Sequence, residues 1–321
     1  MVKLETCGSG DGMAQKPNMK LNDVSTSRIG TDRSADNLMG PPPPYDQWVW
    51  KSMGARGISR TYNEALQGCA NDCHFIAALS AAAWVGYLPA DSNPKYKFYK
   101  ITLSGDKYTA VLDEVSLGSD ALPGYTADPN NKDPIFARPD ASGETWAMLY
   151  EKAYAKWLGD RTNDKPDIGS ELNGGNGFTA LMNITGKTNG KEVGFSSGDA
   201  LVTDLELSKT ANKKIPKAAV IWTKTTIQSP LVGLYKNHVY TVLGSYYENR
   251  EGKTKKPYIV LRNPYGGIIS DPEPVDSAYV PEPGGIPAWN GIDLNKTNDG
   301  IFAFDLSKFS TSLFDKYGYV K

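Results

Sequence analysis

Between residues 73 and 85 the sequence CHFIAALSAAAWV places Phe75, Ile76, Leu79 and Ala83 at helical spacing. Its alanines suit a tightly packed, buried helix. Asn71 and Asp72 stand immediately before it and are expected to cap it. A second helix is expected from Glu144 to Leu158, where Trp146, Leu149, Ala153 and Trp157 share one face. Between the two lies TAVLDEV, residues 109–115, which reads as a strand. The Gly- and Asn-rich stretch 173–198 reads as a connection. Beyond it, residues 218–225, 238–247 and 256–263 are rich in β-branched and aromatic residues and predict strands, with 248–255 a polar turn. The first half is therefore expected to be mostly helical and the second a mostly antiparallel sheet, an α+β chain with no internal repeat.

Composition changes this picture at the N-terminus. Residues 1 to about 40 are polar and almost without aromatics, so they predict a disordered or loosely docked tail. Pro41 to Pro44 form a stiff extended spacer, and Trp48 and Trp50 would anchor it to the first domain. The 35 basic and 36 acidic residues give a formal net charge of -1, which offers no general attraction to nucleic acid or an anionic membrane. No run approaches the length of a transmembrane helix, and the opening residues carry no secretory apolar run. Three cysteines, Cys7, Cys69 and Cys73, are too few for a disulfide framework and suggest a reducing, cytoplasmic setting. His74 and His238 are the only histidines, so imidazole chemistry must use one of them.

Three residues could act together. Cys73 opens the first helix, where free N–H groups and the helix dipole favour a thiolate. His238 opens a strand, and its imidazole could take the thiol proton to make an ion pair. Asn263 ends the next strand, held extended by Pro264, and an amide there can orient the imidazole. Gln67, six residues before Cys73, could donate to a developing oxyanion. Singly, each has an ordinary explanation: a packed cysteine, a structural histidine, a strand end and a surface glutamine. The order Cys, then His about 165 residues on, then Asn, is what joins them.

The wider sequence resembles the calpain family of cysteine proteases. Gln67-Gly68-Cys69-Ala70-Asn71-Asp72-Cys73 with HFIAALSAAA resembles the family's Q-G-x-x-G-D-C-W nucleophile segment. FARPDASGETWAMLYEKAYAKWLG resembles its E-K-A-Y-A-K helix, and LDEVSLGSDALP its D-D-x-L-P stretch. Asn237-His238-Val239-Tyr240 is similar to G-H-A-Y, and Leu261-Arg262-Asn263-Pro264-Tyr265-Gly266 to R-N-P-W-G. Asp299-Gly300-Ile301-Phe302 with Phe309 resembles the closing D-G-x-F and its following helix.

The resemblance implies a papain-like fold. After a tail over 1–45, a helical subdomain over 46–185 would carry Cys73. A β-sheet subdomain over 186–321 would carry His238 and Asn263, and the site would lie in the cleft between them. Cys73 would be the nucleophile, His238 the general base and Asn263 its orienter. Gln67 and the Cys73 N–H would form the oxyanion hole, for endopeptidase action of a monomer on protein or peptide substrates. His74, Asn237 and Tyr265 would line the substrate cleft. His74 stands where the family has Trp, Asn71 where it has Gly, and Tyr265 where it has Trp.

The chemistry itself would need no cofactor. The resemblance implies calcium as an activator at Glu64 and Glu151 with carbonyls near Gly57 and Ser59, without the family's calcium-binding C-terminal modules; the alternative is that both are ordinary exposed or ion-paired carboxylates. A second site is expected to be weak, with Ile269 and Ile301 in place of acids although Asp271, Asp276 and Asp299 lie near in sequence. Two other readings compete. One is a catalytically silent binding protein on the same fold. The other takes Cys69 to His74 as a haem or metal motif, which has one residue too many for C-x-x-C-H and too few partners for zinc.

Overall fold

The computed structural model describes residues 49–52, 60–68, 70–88, 95–124, 136–137, 145–226, 234–248, 256–266, 288–292, 294 and 300–321. The expectations for the tail, the proline run, Trp48, Cys7 and Cys69 fall outside these residues. In chain order the strands are β1 Val49–Ser52, β2 Lys95–Ser104, β3 Lys107–Ser116, β4 Ala121–Gly124, β5 Gly190–Gly194 and β6 Lys213–Lys214. They continue with β7 Ala218–Thr223, β8 Val239–Tyr247, β9 Pro257–Arg262, β10 Ile301–Asp305 and β11 Phe314–Val320. The helices are α1 Cys73–Val85, α2 Trp146–Leu158, α3 Ile168–Glu171, α4 Gly177–Thr185 and α5 Gly198–Asp204. No helix among the described residues is long and apolar enough to cross a membrane.

One sheet runs β10-β9-β8-β7-β11-β5, with β6 added to β8, and every pairing in it is antiparallel. Two smaller antiparallel pairs, β1 with β4 and β2 with β3, lie outside it. The elements enclose two apolar cores. The first gathers α1, α2, α4 and the β2–β3 hairpin; the second belongs to the large sheet and α5.

Helix α1 is buried on nearly all sides, because it is packed both on the sheet and against α4 and α2. That explains its composition: alanines let backbones approach closely from every direction. It ends at Gly86, whose φ of 76° lets its N–H return to the Ala82 and Ala83 carbonyls. Two hydrogen bonds fix α1 to β8. Thr241 Oγ1 donates to the Ala77 carbonyl at 2.8 Å, and Trp84 Nε1 to the Leu243 carbonyl at 2.7 Å.

Several expectations need correction. The first half is not mostly helical, because β1 to β4 share it with α1 and α2. The stretch 173–198 is more than a connection, since it holds α4 and β5 and begins α5. Asn176 caps α4 through the Phe178 and Thr179 N–H groups, and Ser197 caps α5 through that of Ala200. The α-helix expected after Ile301-Phe302 is a single 3-10 turn, Leu306–Lys308, started by Asp305, and the chain then turns into β11.

Candidate active site

Cys73 is the first residue of α1, and its free thiol belongs to a residue only 8 % exposed. The Val239 N–H, next in the chain after His238, points to this sulfur. Burial pushes the thiol up to about 12; the Asp72 charge adds to the rise, while the Val239 and His74 N–H groups oppose it. Asp72 occupies the N-cap position but makes no capping bond. Its side chain turns inward to Glu151, and burial lifts it to about 7. The chain reaches this point through a tight passage at Gly68, where any Cβ would stand 1.7 Å from the Phe136 carbonyl oxygen.

His238 is presented by a turn that Thr223 brackets. The Thr223 N–H donates to the His238 carbonyl at 2.9 Å, and the His238 N–H donates to Thr223 Oγ1 at 3.0 Å. The preceding Asn237 is exposed and left-handed, φ 50°, with its N–H on the Lys224 carbonyl. Asparagine is among the few residues with a side chain that enter this region readily.

The imidazole of His238 lies with Nε2 3.0 Å from Asn263 Oδ1. The same Oδ1 accepts the Tyr265 N–H at 3.0 Å. A backbone N–H can only donate, so the atom it meets must be the amide oxygen, and this settles which way the amide faces. Nε2 therefore carries the proton, and neutral His238 keeps its lone pair on Nδ1. The Tyr265 ring stacks on the imidazole at 4.7 Å with 12° between planes, and Tyr235 and Tyr240 flank it. Burial lowers His238 to about 4, against the upward effect of the Asn263 bond. A thiolate–imidazolium ion pair is the expectation from residue types. Burial disfavours both the thiolate and the imidazolium, and so works against the ion pair that the helix N-terminus would favour.

Gln67 is fully buried; its N–H donates to the Pro264 carbonyl at 2.8 Å and its Nε2 to the Ala70 carbonyl at 2.8 Å. It therefore joins the segment before Cys73 to the one after Asn263. His74 and Tyr265, expected along a cleft, are both buried. The His74 ring rests against Gly175, where a Cβ would lie 2.3 Å from Nε2, and its Nδ1 finds no hydrogen-bond partner among the described residues.

Residues 173–175 flank the segment before Cys73, a contact not among the expectations from sequence. The Gly174 N–H donates to the Asn71 carbonyl at 2.8 Å, and Asn71 Nδ2 to Asn173 Oδ1 at 3.1 Å. The adjacent glycines 174 and 175 were the available signal, since a paired Gly allows close approach.

Glu64 and Glu151 are both buried. Glu64 Oε2 accepts the Thr61 N–H at 2.8 Å and Trp146 Nε1 at 2.6 Å. Both Glu151 oxygens lie 3.0 Å from the Ala137 nitrogen. No three His, Cys, Asp or Glu side chains converge among the described residues. Residues 57, 59, 269, 271, 276 and 299 fall outside them, while Ile301 is a buried start of β10.

The family model for calpain family cysteine proteases matches residues 50–312. A protein named "Thiol protease" from Porphyromonas gingivalis is 29 % identical over 285 residues, covering 82 % of this chain and 55 % of that protein. Mouse "Calpain-12" is 29 % identical over 178 residues, covering 55 % of this chain and 23 % of its own length. The chain thus spans about half of the first relative and a quarter of the second.

Proposed function

The chain belongs to the calpain family of cysteine proteases, and on that footing we propose that it is an endopeptidase that cleaves internal peptide bonds through a thioester on Cys73. The fold is read as papain-like, with the site in a cleft between a helical and a sheet subdomain. The observation that carries the reading is the His238–Asn263–Tyr265 arrangement, because it leaves Nδ1 of a neutral imidazole as a base.

In the proposed reaction the Cys73 sulfur attacks the scissile carbonyl while its proton passes to His238 Nδ1. The carbonyl oxygen, now negative, accepts hydrogen bonds from the Gln67 amide and the Cys73 N–H. The tetrahedral species collapses, His238 returns the proton to the leaving amine, and the acyl group stays on sulfur. Water, deprotonated by the same imidazole, then releases the acid and restores the thiol. Asn263 keeps Nε2 protonated throughout. Burial disfavours a standing ion pair, so thiol deprotonation is coupled to attack in the proposed reaction.

Calcium is proposed as an activator and takes no part in bond making. Glu64 and Glu151 would hold it; two buried carboxylates suit a hard, oxygen-seeking cation, and its role would be to hold segment 61–67 against α2. The proposed substrates are protein or peptide chains, met by a monomer in a reducing cytoplasm. A second reading, a silent binding protein, draws support from the burial of the thiol. Digestion of an unfolded protein by wild type and Cys73→Ala, each with calcium and with chelator, separates the two. Endopeptidase fragments from wild type alone support the protease, and equal digestion or none refutes it.

A further inference from the structure

Arg262 is the last residue of β9 and the immediate neighbour of Asn263, and its side chain is 0 % exposed. Burying a guanidinium carries a large desolvation penalty that only well-placed acceptors offset. Here Nη1 donates to Ser80 Oγ at 2.8 Å, and Nη2 donates to the Ala65 carbonyl at 2.7 Å and the Asn63 carbonyl at 3.1 Å.

None of these acceptors belongs to the sheet. Ser80 is on α1, seven residues after Cys73. Seven residues make two turns, so Ser80 lies within about 20° of the Cys73 direction and about 10 Å further along the axis. Asn63 and Ala65 lie in the segment that leads to Gln67. Two residues beyond Arg262, the Pro264 carbonyl accepts the Gln67 N–H. Asn263 is thus flanked on both sides by residues that grip the Cys73 side, Arg262 by its side chain and Pro264 by its backbone. A lysine would carry the charge but could not span a helix hydroxyl and two loop carbonyls at once.

We propose that Arg262 is a positioning residue which sets the His238–Asn263 pair in register with Cys73 and Gln67, so that its loss misaligns the site in a folded protein. This rests on the protease reading. Two other ties join α1 to β8, at Thr241, which pairs across from Arg262, and at Trp84, so misalignment rather than collapse is the expected consequence.

The test compares Arg262→Met, Arg262→Lys and, as a control tie, Thr241→Val. Each is measured for thermal midpoint, for kcat and KM per titrated active site on a peptide, and for amide hydrogen exchange over 61–67. Arg262→Met should lower kcat per site at least tenfold with KM within twofold, and should lose protection at the Gln67 amide. Arg262→Lys should fall between it and wild type, and it is the variant read if Arg262→Met does not fold. Thr241→Val should lower the midpoint while keeping kcat per site. Unchanged kcat per site in both Arg262 variants, or an equal kcat loss in Thr241→Val, would overturn the proposal. If wild type cleaves nothing, the protease reading fails and the exchange data decide alone: retained Gln67 protection in the Arg262 variants rules out the positioning role, and lost protection leaves Arg262 as an anchor without a catalytic role.

Discussion

His238 Nε2 meets Asn263 Oδ1 at 3.0 Å, and the Tyr265 N–H on that same oxygen makes Asn263 an acceptor toward the imidazole. An aspartate at 263 offers the same acceptor. Asn263→Asp should therefore stay within about tenfold of wild-type kcat, whereas Asn263→Ala should lose roughly 10²-fold or more as the tautomer is freed. The added negative charge should also raise the His238 titration, readable by NMR. Equal losses in the two variants would show that the amide nitrogen, and not the oxygen, is what matters.

Asn237 holds φ 50° one residue before His238. Asn237→Gly should leave stability within a few tenths of a kcal/mol. Asn237→Val should cost about 1–2 kcal/mol, because a β-branched residue is strained there. Chemical denaturation of the pair reads this directly, and equal midpoints would mean that the turn relaxes.

Burial lowers His74 to about 4 from an ordinary 6.5. The unfolded chain then binds a proton that the native state refuses. The corresponding stability is complete above about pH 6.5 and is lost as pH falls toward 4. Between pH 7.5 and 5 this amounts to about 2 kcal/mol for the one group. His74→Leu should be that much less sensitive to acid than wild type in urea titrations at the two pH values. Identical sensitivity would mean that the imidazole is protonated in the fold.

With the thiol held near 12 and the imidazole near 4, alkylation of Cys73 by iodoacetamide should keep rising with pH from 6 to 10. A rate plateau at neutral pH would instead show a standing thiolate–imidazolium pair.

Sequence pattern identifies the parts of the fold whose periodicity is strong. Helix α1 runs over the residues its apolar spacing marks, and β7, β8 and β9 fall within one or two residues of their β-branched runs. What it hides is tertiary. Asn176 and Ser197 cap α4 and α5, yet in a Gly- and Asn-rich stretch they look like loop residues. Asp72 looks like a cap but faces Glu151, because α2 brings an acid to it from far along the chain. Nothing in the sequence marks Arg262 as buried, because its three acceptors come from α1 and the segment before Gln67. His238 and Asn263 are legible as residue types in order, but the tautomer depends on the Tyr265 N–H, a contact that only folding supplies.

In the proposed reaction Cys73 carries the acyl group. Wild type mixed with an activated peptide ester and quenched with acid within milliseconds to seconds should gain the mass of the acyl group, mapped to Cys73. Cys73→Ala should gain none, and His238→Ala should form the adduct far more slowly. An adduct on Cys7 or Cys69, or peptide cleavage by Cys73→Ala at the wild-type rate, would show that Cys73 is not the nucleophile.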